Sequence, residues 1–454
     1  MTFSASMVWA RNWVRIAADP RALGGDLAIS ASGTIAFRLL SAALIFVVNL
    51  ILANLLGVVD YGLFSYVFGW QCVLGQLSLL GFDRLFVRLV SQYRVQQSWG
   101  LLRGLLVWGN SVALIITLTG VAFLAMLTPW GHFDKSASWK IVTCVALFLL
   151  PQTILLRLQQ SALQGMNRIL AGQAPEFIVY PGLFLGLLGV TYLSGAKANL
   201  LVVLASYILA TGAAATVAVI LLVRSLPKAV VSAQIEFRAF DWLTAASPLL
   251  LIGGLDVLIS QVDLLMIGTM QGPRQAGIYA AATRGARIIA LALNSVNIAI
   301  APTIARLYAE GNASRLQRLV TQSARVVFLA AVLAGAFMLI FGKFFLALFG
   351  MEFLPGYNAL LLLCAGQLVN AALGCVGYLL MMTGHGRDAA IGLGIGVAVT
   401  VLFNLWLIPL WGIEGAAVAS TLGQILWNGI LAWRVWVRLK MTSTAWGTLA
   451  PGEA

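Results

Sequence analysis

Gly57-Val58-Val59-Asp60-Tyr61-Gly62-Leu63-Phe64 turns the chain between two apolar runs, and Gly272-Pro273-Arg274-Gln275-Ala276-Gly277-Ile278-Tyr279 does the same much further on. Both stretches are glycine, four residues, glycine, aliphatic, aromatic. Glycine breaks the chain in any tight turn, so the spacing alone says little. Position gives it weight. Windows of about 19 residues place apolar runs near 33–56, 61–82, 104–128, 141–160, 175–194, 200–223, 242–269, 277–301, 326–348, 357–382, 389–410 and 415–437. The two turns follow the first and the seventh of these twelve runs, as a six-plus-six duplication requires. An even number of spans leaves both halves in the same orientation. Parallel repeats about an axis along the membrane normal follow, with a substrate path between them.

The expected fold is an all-α polytopic membrane protein with twelve transmembrane helices in two six-helix bundles around a central cavity. Hydrophobic residues make up 61% of the chain and charged ones 9%, and mean hydropathy is +0.95. In lipid only helices or closed barrels satisfy their own backbone, and uninterrupted runs of roughly 20 apolar residues select helices. The organisation expected is a basic N-terminal segment (1–27), a first bundle (28–223), a linker (224–241), a second bundle (242–437) and a tail (438–454).

The net charge of +13 could suggest nucleic acid, but its distribution excludes that partner. One set of loops holds 20 basic residues (Arg84, Arg88, Arg94, Arg103 and Arg157 among them), and the opposite set holds 5: Lys135, Lys140, Lys197, Arg274 and Lys343. The positive-inside rule then puts both termini in the cytoplasm, with a basic face suited to anionic membrane lipids. The first 27 residues lack the apolar core and cleavage site of a signal peptide. Trp9 and Trp13 interleaved with Arg11 and Arg15 suit a short interfacial helix or a basic tail that only fixes topology.

Catalytic sets are missing. No loop exceeds about 20 residues by the window boundaries, and the only histidines, His132 and His385, lie in different loops. Cys72, Cys144, Cys364 and Cys375 all fall within apolar runs without metal-ligand spacing, so they are packing residues and no metal is expected.

Asn49-Leu50-Ile51-Leu52-Ala53-Asn54-Leu55-Leu56-Gly57, with Tyr61-Gly62-Leu63-Phe64 and Leu80-Gly81-Phe82-Asp83-Arg84, resembles the opening of bacterial polysaccharide flippases. So do Asp263-Leu264-Leu265-Met266-Ile267-Gly268, Ala301-Pro302-Thr303-Ile304-Ala305-Arg306 and Trp411-Gly412-Ile413-Glu414-Gly415. These flippases are the O-antigen and exopolysaccharide members of the multidrug, oligosaccharidyl-lipid and polysaccharide exporter superfamily. The resemblance implies alternating access in a bacterial inner membrane. It also implies transfer of an undecaprenyl-diphosphate-linked oligosaccharide to the outer leaflet, with polysaccharide polymerase machinery as a partner. A cation-coupled drug exporter on the same scaffold is the alternative, and a membrane-embedded glycan-processing enzyme a weaker one.

Charges inside apolar runs carry the functional expectation, because each costs roughly 2.5–3.5 kcal/mol facing lipid at mid-bilayer. Asp256, Ser260 and Asp263 share one face of the seventh helix, and Arg284, Arg287 and Asn294 form a stripe on the eighth. Arg38, Arg284, Arg287 and Asn294 are the candidate cavity residues for the anionic headgroup, since a planar guanidinium fork suits a diphosphate. Asp256 and Asp263 are the candidates for coupling to a proton or sodium, with no other cofactor expected. Two arrangements stay open: arginines lining the cavity, or Asp–Arg pairs holding the two helices in register. Arg38 can line the cavity or snorkel to headgroups. Asp83, Arg84 and Arg88 form a basic rim, to which the resemblance gives an entrance role.

Overall fold

Among the described residues the apolar runs form helix, the tenth of them broken at Gly374 and Cys375. The computed structural model describes residues 25–127, 137–194 and 199–446, with side chains from residue 40 onward apart from a few helical positions. The Trp9–Arg15 segment, His132, Asp134 and the side chain of Arg38 lie outside the described residues. The helices are α1 (25–56), α2 (58–79), α3 (Phe82–Val95), α4 (Trp99–Leu127), α5 (Ala137–Gly165), α6 (Ile169–Ala174), α7 (Tyr180–Leu193) and α8 (Leu200–Ser225). They continue with α9 (Lys228–Ser232), α10 (Ala239–Met270), α11 (Pro273–Ala309), α12 (Ala313–Phe349), α13 (Tyr357–Leu373), α14 (Val376–Met382), α15 (386–411) and α16 (413–439). Among the described residues, nine helical runs are long and apolar enough to cross a membrane. Two of those, Leu40–Leu79 and Gly386–Leu439, each hold two helices broken at Gly57 and Gly412.

The two echoed turns have one backbone conformation. Gly57 has φ 71°, ψ 176° and Gly272 has φ 86°, ψ 177°, a region that side-chain-bearing residues avoid. Their second glycines lie back to back. A Cβ on Gly62 would stand 1.8 Å from the Pro273 carbonyl oxygen, and one on Gly277 would stand 2.2 Å from that of Val58. The turns therefore interlock at one end of the molecule. From there α2 runs antiparallel along α10, with Tyr66 against Gly268, Gln76 against Gly253, and Gly81 against Ala246 and Leu250. Small residues allow this approach, as is usual where helices pack in lipid. Phe46 stacks on Phe345 at 5.7 Å, Tyr61 meets Phe353 edge-on at 5.7 Å, and Asn54 donates to the Leu348 carbonyl at 2.7 Å. A seam between the two halves is thus closed at the turn end.

Two segments expected as loop or tail are built structures. Residues 82–95 form the amphipathic α3, which buries Phe82, Leu85, Phe86, Val90 and Tyr93; Tyr93 accepts a hydrogen bond from buried Trp242 at 3.0 Å. Its alternating charges had hidden the period of 3.6 in a stretch too polar to pass a membrane window. Past α16 the chain folds back over α12 and α13. Ala445 N–H donates to the Ala372 carbonyl at 2.9 Å, Thr442 N–H to Gln317 Oε1 at 3.0 Å, and Arg325 Nε to the Ala445 carbonyl at 3.1 Å. Ser443 is 2% exposed. Truncation after Lys440 removes these bonds, worth roughly 1 kcal/mol each, and should lower stability by about 2–4 kcal/mol, read as a fall in melting temperature of the purified protein.

Candidate functional site

Asp263 is where the stripe on α10 meets the protein interior. It is 8% exposed, its Oδ1 accepts from Asn404 Nδ2 at 2.7 Å and its Oδ2 accepts from the Tyr279 hydroxyl at 3.1 Å. The carbonyl oxygen Asn404 Oδ1 is buried beside it without a hydrogen-bond partner. Neither Arg284 nor Arg287 pairs with Asp263, so of the two arrangements left open the register-holding pair between these helices is not the one found. The reason is angular. Arg284 matches Asp263 in depth, but Arg284 lies five residues from Tyr279, about 140° around a helix of 3.6 residues per turn. With Tyr279 facing Asp263, Arg284 turns away from that carboxylate toward the space beside Phe68 of α2.

Both arginines are left facing open space. Arg284 Nε is buried without a hydrogen-bond partner. Among the described residues Arg287 Nη2 donates only to the Ser260 carbonyl, at 3.2 Å, and its side chain is exposed. Arg287 lines a cavity of about 730 Å³, open solvent at its mouth included, together with Ser260, Asp263, Thr283, Gln367 and Gln424. A smaller space joins Arg284, Arg287 and Asp263 to Phe68 of α2.

The remaining candidates separate. Asp256 is bound by Arg84, Nη2 to Oδ2 at 2.8 Å, with side chains 37% and 51% exposed for Arg84 and Asp256. This bridge joins the first half to the second, so the rim arginine and the supposed coupling acid form one contact. Asp83 Oδ1 is buried without a partner, and Arg88 is exposed. Asn294 is exposed and is absent from the lining of the cavities around Arg284 and Arg287.

One charged site escaped the sequence reading. Arg157, counted among loop charges, lies in α5 and lines a second cavity in the first half of about 760 Å³, mouth included, with Gln71, Cys72, Glu176, Tyr180 and Tyr207. Both acidic and basic members were visible within apolar windows, 141–160 for Arg157 and 175–194 for Glu176. Their nearness to window ends made them look like flanking charges.

A family model described as polysaccharide biosynthesis protein matches residues 30–308, and the MatE model matches residues 248–406. No curated protein matches the chain. Among solved structures, an inward-facing multidrug resistance MATE family transporter of the MOP superfamily is similar at TM-score 0.71 and 15% identity, covering 88% of this chain and 94% of that one. The lipid II flippase MurJ in an inward closed conformation is similar at TM-score 0.67 and 12% identity, covering 90% and 87%. A MOP superfamily transporter from Pyrococcus furiosus, described as having a binding pocket of reverse polarity, is similar at TM-score 0.58 and 14% identity, covering 91% and 92%. At these identities the likeness is one of fold. The match over residues 30–308 takes in more than half of the chain, which therefore belongs to the polysaccharide biosynthesis protein family.

Proposed function

We propose that this chain is an alternating-access flippase. Its cargo is an undecaprenyl-diphosphate-linked oligosaccharide, moved from the cytoplasmic to the outer leaflet of a bacterial inner membrane for O-antigen or exopolysaccharide assembly. The observation that carries this is the pair Arg284 and Arg287, which face interior space with no carboxylate partner among the described residues. Their positive charge inside a low-dielectric site attracts a diphosphate and repels an organic cation. The MatE match and the multidrug transporter among the fold neighbours keep cation export as the second reading. Cells lacking the gene should accumulate the complete lipid-linked repeat unit on the inner leaflet. Purified protein in liposomes should move that lipid without changing its glycan. Elongation or cleavage of the glycan would replace this reading with an enzyme, and export of organic cations would replace it with the drug exporter. In the twelve-span topology, reporter fusions near residues 95, 232 and 312 should report cytoplasm, and those near 134 and 274 the exterior.

Asp263 is the proposed coupling group. Its carboxylate and the unpartnered Asn404 Oδ1 put acceptor oxygens together in a buried place, which suits a proton or a sodium ion. Asp263→Asn should leave lipid binding within about twofold, while gradient-driven transport falls to the rate seen without a gradient, since a change under 0.5 kcal/mol in binding is what an uninvolved group produces. Gradient-dependent transport by that variant would remove Asp263 from coupling.

A further inference from the structure

We infer that the cavity in the first half is a saccharide subsite, in which Glu176, Arg157 and Gln71 take the hydroxyls of an uncharged sugar ring against a wall made by Tyr180 and Tyr207. The inference rests on the flippase reading and adds where the glycan end of the cargo sits.

Three independent observations lead to it. Arg157 and Glu176 line one cavity inside apolar helices, yet they do not close an ion pair, and among the described residues no hydrogen bond occupies either charged end. Two opposite charges would collapse onto each other in a dry interior. Held apart across a cavity, they offer an acceptor and a fork of donors to something between them, and sugar hydroxyls both give and take hydrogen bonds. Secondly, Glu176 is presented by a π-helical turn, Pro175–Val179, set between α6 and α7. Such a bulge disturbs the helix ladder and recurs where a side chain has to be re-aimed at a functional site. Thirdly, the wall is fixed. Tyr180 stacks on Phe184 at 5.9 Å and meets Tyr207 edge-on at 5.5 Å, and the Tyr207 hydroxyl donates to Gln71 Oε1 at 3.0 Å. That bond orients Gln71 while leaving its amide nitrogen to donate. Apolar walls with a few convergent polar groups are the usual make-up of a small-molecule site.

The subsite adjoins the space around the arginines of the second half. Phe68 lines both this cavity and the space holding Arg284 and Arg287. Placing the two echoed turns in register sets Phe68, Gln71 and Cys72 of α2 against Thr283, Ala286 and Arg287 of α11, all of them cavity-lining. The repeat thus has one polar cavity in each half. The second carries the unpaired positive charge that suits the diphosphate, and the first carries a balanced Glu–Arg set that suits neutral hydroxyls.

The test uses the full-length protein in lipid nanodiscs and two probes, undecaprenyl diphosphate and undecaprenyl diphosphate bearing one N-acetylhexosamine. Wild-type protein should bind the sugar-bearing lipid at least about tenfold more tightly, the discrimination expected when a site built for hydroxyls is left unpaired. Glu176→Gln, which keeps the shape, should remove that difference and leave the affinity for undecaprenyl diphosphate unchanged. Arg287→Ala should weaken both lipids alike. Alkylation of Cys72 by N-ethylmaleimide in wild-type protein, read by peptide mass spectrometry, should be slowed by the sugar-bearing lipid more than by the sugar-free one. Equal binding of the two probes by wild-type protein, or equal losses for both in Glu176→Gln, overturns the subsite and leaves the flippase reading standing. Failure of wild-type protein to bind either probe overturns both.

Discussion

Arg287→Ala should reduce transport of the lipid-linked oligosaccharide by about 100-fold while the protein is made at normal level, since a charge-assisted hydrogen bond to a phosphate oxygen contributes roughly 1.5–3 kcal/mol. Folding should hardly notice. The guanidinium makes one hydrogen bond, to the Ser260 carbonyl at 3.2 Å, and its side chain is otherwise exposed in the cavity. Losing a bond worth roughly 1 kcal/mol leaves the melting temperature within a few degrees. Arg287→Lys should recover part of the activity, because the charge returns without the planar fork that grips two oxygens. The pairing alternative makes the opposite forecast. If the arginines existed to neutralise Asp263, the double variant Asp263→Asn with Arg284→Gln would be stable and fully active. Asp263 is held by Tyr279 and Asn404 instead, so that double variant should be inactive. Proteoliposome transport with a melting curve for each variant decides the matter, and full transport by the neutralised double variant would take the positive charge out of the lipid path.

What could be read in the sequence, and what could not, divides along the range of the interactions. Helix over each apolar run follows from local hydropathy, because lipid forces the backbone to satisfy itself within the segment. The likeness of the two turns was legible because its mark, glycine at fixed spacing, records a backbone conformation. Gly57 and Gly272 adopt nearly the same φ and ψ. The partners of the buried charges were not legible. Depth along a helix can be counted, and Asp263 and Arg284 do match in depth, but which helix faces which is a property of the packed bundle. Asp263 turns to Asn404, a residue 141 positions away in sequence, and Asp256 turns to Arg84, 172 positions away. The amphipathic α3 was missed for a related reason: a membrane-scale window averages over the stripe that Phe82, Phe86, Val90 and Tyr93 make. Glu176 was missed because it lies at the end of its apolar window, and the π-helical turn that aims it inward leaves no mark on hydropathy.

The interlocked turns carry the other large effect. Gly62→Val should reduce transport by at least about 100-fold, whereas Gly57→Ala, five residues away, should keep most of it. Backbone strain alone would rank them the other way. Gly57 has the positive φ, and alanine there should cost about 1–3 kcal/mol; but a Cβ on it meets nothing within 4 Å, so the turn can carry the strain without moving its neighbours. Gly62 sits in helix with ordinary dihedrals, but its Cβ would lie 1.8 Å from the Pro273 carbonyl oxygen and 2.7 Å from the Gly277 nitrogen. Those atoms are backbone, with no rotamer to escape into, so the two turns must separate. The contact is reciprocal, since a Cβ on Gly277 would lie 2.2 Å from the Val58 carbonyl oxygen. Relief at one glycine therefore cannot be found by shifting the other. Separation would pull apart the closed seam that Phe46, Phe345, Tyr61 and Phe353 fill, and a transporter that cannot close this end cannot alternate. Spin labels at Val59 and Arg274 should give a narrow, short distance in wild-type protein and a longer one in Gly62→Val, with Gly57→Ala resembling wild type. Wild-type transport by Gly62→Val would mean that the tight seam is no part of the cycle.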